Sequence, residues 1–412
     1  MSELGWVDFS SEDRERVRHV MAMMREPGTL DELGIGQIRD AFADLLFPGI
    51  STIQTRAKYF ITVPRILRDY YALCSANKRK APPIESYLKE AENNVAKRLT
   101  KVHGDDETGI IGRTQIDKGG VARRPSSVYW NGLRQLGIID TQSSLAEFCR
   151  HYGNIKTRPD SAISEFGEDD ISNLNAKQIV HLPKGHSGNW QEDLTLNLNV
   201  NEAKFLVNKV KNAKNLQHSV LGQLYLHGLT DEALSLNDEF VSGFTQLQAF
   251  LNKQSEVSAL CKSRLGAAEA FSLAMEGAHL RYNIVLAKNN GFDEKVAEYE
   301  GDYNNWAEIA KNSLHENSAD NWFNIAEIKA IRSETKNFIQ QFIKQVQTGT
   351  SLKEIDTLVE SQAKNNKKKR SLLYKKLTQQ GWVGIRRLDY RWSAARPILA
   401  DIQQGLENAK GR

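Results

Sequence analysis

The chain has 412 residues, 40% hydrophobic and 26% charged, enough for two or three domains that each bury a core. No stretch approaches the roughly 18 to 20 uninterrupted apolar residues of a membrane span. The opening MSELGWVDFSSEDRER is acidic and polar where a secretion signal is basic and then apolar, so a cytoplasmic protein without a membrane partner is expected.

Along the chain, helical periodicity dominates. Ser10 or Ser11 is placed to cap a first helix carrying Val17, Val20, Met21 and Met24. Thr29 and Glu32 fit a capping box before a helix with Ile38, Ala41, Phe42, Leu45 and Leu46 inward, and Pro48-Gly49 stops it. Ser51 starts a third helix through Ile53, Ala57 and Phe60, which Pro64 breaks or kinks. A charged helix is expected over 84–101, a glycine-rich loop over 103–124, a helix from Ser126 or Ser127, and another capped by Thr141. Residues 154–189 lack any period and read as a boundary or long surface loop.

Leu194, Leu196, Leu198 and Val200 alternate with polar residues, the pattern of a short half-buried strand. After Asn201, a candidate cap, helices are expected over 202–213, 216–227, 230–253, 255–289, 291–313, 317–348, 350–379 and 393–408. The fold class is therefore mainly α. A helix-turn-helix-like helical domain spans 1–153, a loop-rich connector with a short strand 154–200, and an irregular helical bundle or array 201–412.

Charge is unevenly spread although the net value is only +4. Between Ile50 and Lys80 seven Lys or Arg face one acid, Asp69. From Gln362 onward thirteen face three acids. Such asymmetry suits a polyanion-binding face, and equally a solvated helix face. The helix, turn and helix over 35–60 would present Gln54, Arg56 and Lys58 to a major groove, with Arg65, Arg68, Lys78, Arg79 and Lys80 beside them. Lys367, Lys368, Lys369 and Arg370, followed by Lys375, Lys376, Arg386, Arg387 and Arg391, form the second basic segment. Tyr374, Trp382, Tyr390 and Trp392 are interleaved there, either as stacking platforms for nucleic acid or as packing for the last helices.

Catalytic and metal patterns are weaker. The three cysteines, Cys74, Cys149 and Cys261, are far apart, which disfavours a disulfide framework or a zinc ribbon. Glu276 and His279 form half of a bundle di-iron motif without the other half. His181 and His186 lack partners at zinc-ligand spacing. Asp193 with Glu202 and Lys204 echoes a nuclease order but falls in a helix rather than a strand. The acidic run Glu165, Glu168, Asp169 and Asp170 lacks the spacing of a calcium loop. Gly109, Gly112, Gly119 and Gly120 match no phosphate-binding loop. No catalytic residue, metal or cofactor is assigned.

Several blocks taken together resemble an uncharacterised family of bacterial proteins, a domain of unknown function of about this length. They are GWVDFS from Gly5, DELG from Asp31, IRDAF from Ile38, LFPG from Leu46, QTRAKYF from Gln54, YWNGL from Tyr129, HLRYN from His279 and LDYRW from Leu388. The resemblance implies an accessory role in antiphage defence loci, beside helicases and phospholipase-D-type nucleases. The expected function is a non-enzymatic subunit that binds double-stranded DNA or scaffolds such a helicase or nuclease. The alternatives are a nuclease with a dispersed metal-carboxylate site, and an interaction protein that binds an acidic partner subunit and no DNA.

Overall fold

The structure, a computed structural model, describes residues 31–76, 81–104, 107–115, 123–152, 163–165, 179–185, 189–239, 241–314, 318–328, 331–379, 381–384 and 386–408. It is mainly helical. The elements in chain order are α1 (Gly36–Leu46), α2 (Tyr59–Ala76), α3 (Ile84–His103), α4 (Pro125–Gln135), α5 (Leu145–Tyr152), β1 (Ile163–Glu165) and β2 (Val180–Leu182). There follow α6 (Val200–Asn212), α7 (Val220–His227), α8 (Thr230–Ser235), α9 (Gly243–Lys253) and α10 (Ala259–Asn290). The last are α11 (Asp293–Ser313), α12 (Ser318–Ile325), α13 (Ser333–Thr348), α14 (Leu352–Lys367) and α15 (Trp392–Glu407). No described helix is long and apolar enough to cross a membrane.

The chain divides into two compact units, one of residues 1–42 and 263–388, the other of 43–262 and 389–412. Both are discontinuous in sequence, whereas local pattern places breaks near 153 and 200. Sequence pattern reports where periodicity lapses; it does not report which distant segments share a core.

The second unit is built around α2. Tyr59, Phe60, Ile61, Val63, Ile66 and Leu67 are all buried, so this helix is apolar around most of its circumference, as a core helix must be. Pro64 lies inside it without ending it. The helix expected over 51–60 is absent. Ser51 to Lys58 form turns, and the side-chain amide of Gln54 donates to the carbonyl of Gly49 at 2.9 Å. The helix-turn-helix is thereby lost, because Gln54 satisfies the turn from within. Gly49 sits at φ +80°, and Gly132 on α4 lies so close that a Cβ there would meet the Gly49 carbonyl oxygen at 2.6 Å. The LFPG and YWNGL blocks are two sides of one close approach.

The strand expected over 194–200 is a correction as well. Leu194, Leu196 and Leu198 do point inward, but the segment has no ladder partner among the described residues. The Leu196 amide instead donates to the His103 imidazole at 2.9 Å. The strands described are β1 and β2, three residues each and parallel, with Ile163 opposite Val180. Asn199, not Asn201, caps α6 in a capping box with Glu202. Ser144 caps α5, pairing with the amide of Glu147, whereas Thr141 bonds the amide of Ser143.

In the first unit, α10 supplies the central buried surface. Phe42 and Trp322 flank Phe271 at ring distances of 5.8 and 5.9 Å. The span expected as one helix over 317–348 is split into α12 and α13. That over 350–379 ends at Lys367 and continues as two short 3₁₀ turns, Lys368–Arg370 and Leu372–Tyr374. In the second unit, 230–253 likewise divides into α8 and α9, with Ser242 capping the latter. The capping box expected of Thr29 lies partly outside the described residues. Its partner Glu32 is buried and instead accepts from the Ser371 hydroxyl at 2.9 Å.

Candidate nucleic-acid interface

Most of the first basic segment is turned inward and neutralised. Lys58 and Arg65 are seven residues apart, two helical turns, and so share a face. Both reach Glu202, at 2.7 and 2.9 Å, and all three side chains are at least nine-tenths buried. Burial pulls the Lys58 ammonium below its ordinary value, and the Glu202 carboxylate opposes that shift. Arg56 spans Asp401 at 3.0 Å and Glu107 at 2.9 Å, while Asp401 also accepts from the Ala57 amide at 2.8 Å. Burial raises the Asp401 carboxyl above its usual range, and the guanidinium works against it.

Gln54, Arg56, Lys58 and Arg65 are therefore structural, and the groove-reading role expected of them is withdrawn. Arg68 is half-buried, with Asp69 at 3.9 Å. Lys78, Arg79 and Lys80 lie outside the described residues. One sequence signal bears on this. A cation embedded in YFITVPRIL has no wet face to occupy, so it must be paired inside.

The second segment behaves differently along its length. Arg387 is held by Glu269 at 3.0 Å and Glu276 at 2.8 Å, which also accounts for Glu276 as an ion-pair partner rather than half of a metal site. His279 is buried, its Nδ1 2.8 Å from the Met275 carbonyl, and burial lowers its proton affinity. A Cβ at Gly384 would overlap its ring. Arg386 is exposed, pairs with Asp302 at 3.4 Å and lies over Trp382, 4.4 Å from the ring centre. Arg391, which belongs to the second unit, is spent on Asp44 and the Ile50 carbonyl.

Residues 367–376 remain. Lys368, Lys369, Arg370, Lys375 and Lys376 are exposed and Lys367 is half-buried. No ion pair within 4 Å joins any of the six to a carboxylate among the described residues. From Ser361 to Leu388 the sequence contains no acid at all. Tyr374 is 60% exposed, whereas Tyr390 and Trp392 are buried and Trp382 is half-buried. Of the four interleaved aromatics, one is left on the surface.

Local packing fixes this edge from beneath. Ser371 is fully buried and bonds Glu32, and its hydroxyl accepts from the Leu373 amide at 3.3 Å. Asn366 donates to the carbonyls of Asp31 and Glu32, and Gln362 to that of Leu33. The DELG block is thus a buttress under the end of α14, and the side chains left over point to solvent. Lys376 Nζ donates to the Asn289 carbonyl at 3.2 Å, and the Leu377 amide to the Asn290 side chain at 2.8 Å.

Residues 1–405 match DUF6361, a family of unknown function. The chain belongs to that family. No curated protein and no solved structure matches it. Several of the blocks through which the DUF6361 resemblance is recognised acquire physical roles. In HLRYN, His279 packs under Gly384, Arg281 is buried against Asp356 at 2.6 Å, and Asn283 exchanges two hydrogen bonds with the backbone of Val383. In LDYRW, Asp389 accepts from the amides of Arg391 and Ser393, while Tyr390 and Arg391 adopt positive φ. Strained, capped and buried polar residues of this kind serve folding.

Chemistry at the remaining sequence candidates is limited. Among the described residues no group of three or more His, Cys, Asp or Glu is placed to hold a metal ion. Glu202, the candidate nuclease carboxylate, is committed to Lys58, Arg65 and the α6 cap, while Asp193 and Lys204 are exposed. Cys74, Cys149 and Cys261 are all buried. His186 and the acidic residues 168–170 lie outside the described residues.

Proposed function

We propose that this DUF6361 protein is a non-enzymatic nucleic-acid-binding subunit of a bacterial antiphage defence complex, holding phosphate on the basic edge at residues 367–376. The observation that carries the reading is this edge of exposed cations without carboxylate partners among the described residues, borne on a segment whose backbone is anchored by Ser371, Leu373 and Asn366. Clustered Lys and Arg bind a phosphate backbone by displacing its condensed counterions. The cellular setting, and a helicase or phospholipase-D-type nuclease as the companion it scaffolds, follow the sequence resemblance.

The test is a mobility-shift and anisotropy titration of the whole protein with DNA at low salt. Wild type should bind, and the variant carrying Lys367→Glu, Lys368→Glu, Lys369→Glu and Arg370→Glu should lose more than about tenfold in affinity, about 1.4 kcal/mol or more. Absence of binding to DNA of any form at low salt removes the proposal. Co-purification with an acidic subunit in its place would favour the scaffold role without nucleic acid.

A further inference from the structure

We infer that the edge at residues 367–376 selects single-stranded over double-stranded nucleic acid, with Tyr374 as the platform on which a base stacks. This rests on the nucleic-acid reading of the same edge. Tyr374 has an exposure that folding does not explain. At 60%, Tyr374 is the most exposed of the large apolar side chains among the described residues. It sits on a 3₁₀ turn whose amides are satisfied locally, the Tyr374 amide bonding the Ser371 carbonyl at 3.2 Å and the Lys375 amide that of Leu372 at 2.9 Å. Ser371 and Leu373, on the same turn, are buried and pin it. The ring is therefore presented by a fixed backbone, at small further entropic cost on binding.

Its surroundings are cationic. The Lys364 ammonium lies 5.3 Å from the ring centre and is itself paired with Glu360, so that one cation is already spent. Arg370, Lys375 and Lys376 are exposed on the adjoining residues. An aromatic face beside cations that meet no carboxylate within 4 Å among the described residues matches what one nucleotide of a single strand offers, a base face and a phosphate side by side. In a duplex the base faces are occupied by one another. Tyr374 then meets only the sugar-phosphate exterior, and the cations alone contribute. Both DNAs should thus gain from counterion release, more per phosphate on the duplex, and only the single strand adds the stacking of one base on the ring.

The experiment uses the full chain with a labelled oligothymidylate and a labelled duplex of equal length, titrated over a salt series. The wild-type protein should prefer the single strand. Tyr374→Ala should lower single-strand affinity roughly tenfold with an unchanged salt slope, and leave duplex affinity as it was. Tyr374→Phe should retain the preference, since stacking needs the ring and not the hydroxyl. If both DNAs bind equally and Tyr374→Ala changes neither, the inference fails while the phosphate-binding reading stands. If neither DNA binds at low salt, both fail together.

Discussion

Lys58, Arg65 and Glu202 decide how the first basic segment is to be understood. Two cations share one carboxylate, and each is at least nine-tenths buried. Removing the charge from Glu202 leaves both cations desolvated and without the carboxylate that each contacts. Glu202→Gln should therefore destabilise the protein by about 3–5 kcal/mol, the range for breaking a buried pair from one side. Urea unfolding followed by circular dichroism measures it. A loss under about 1 kcal/mol would mean that water reaches the cluster and that these cations are less committed than the geometry indicates. Any variant of Lys58 or Arg65 that weakens DNA binding should do so only in proportion to the fraction unfolded.

Helix α4 starts under an unusual cap. Arg124 occupies the N-cap position without a side-chain bond, and the free amide of Ser126 is taken up by Glu92 Oε1 of α3 at 2.6 Å. The other oxygen of Glu92 is buried with no hydrogen-bond partner among the described residues, and burial raises the carboxyl to about 7. In the unfolded chain the same group titrates near about 4.3. Between these values the folded protein holds a proton that the unfolded chain has released. Its contribution is complete below the lower value and is lost as pH rises through the upper one. Stability should fall by up to about 3 kcal/mol from mildly acidic pH to pH 8 on this account. Glu92→Gln should remove that part of the slope while keeping an acceptor for Ser126. Matching pH profiles of the urea midpoint for the two proteins would refute the assignment.

For the molecule as a whole, a net charge of +4 is uninformative until each cation is assigned an environment. The two basic segments fall mainly in different units; Arg56, Lys58 and Arg65 of the first are paired with carboxylates, whereas Lys368, Lys369 and Arg370 of the second are exposed. Neutralising Lys368 or Lys369 should lower the slope of log affinity against log salt by about one for each phosphate no longer neutralised. Arg387→Gln should leave that slope alone, since its guanidinium already faces Glu269 and Glu276. The slope is read from anisotropy titrations over a salt series, and equal effects of the two substitutions would disprove the division.

Helix-scale features are legible in the sequence because the signals are local. The extents of α10 and α15, expected over 255–289 and 393–408, and the stop at Pro48-Gly49 follow from spacing and from what proline and glycine allow. The acid-free run from Ser361 to Leu388 is also legible, and so is the exclusion of a phosphate-binding glycine loop. Tertiary structure alone determined which cations are neutralised. Asp401 lies 345 residues from Arg56 and Glu202 lies 144 from Lys58, separations at which no sequence window reports a partner. It also settled which aromatic of the interleaved four stays wet, because burial is a property of the surrounding chain. Charge and hydrophobicity are written residue by residue, whereas desolvation is set by whatever folds against them.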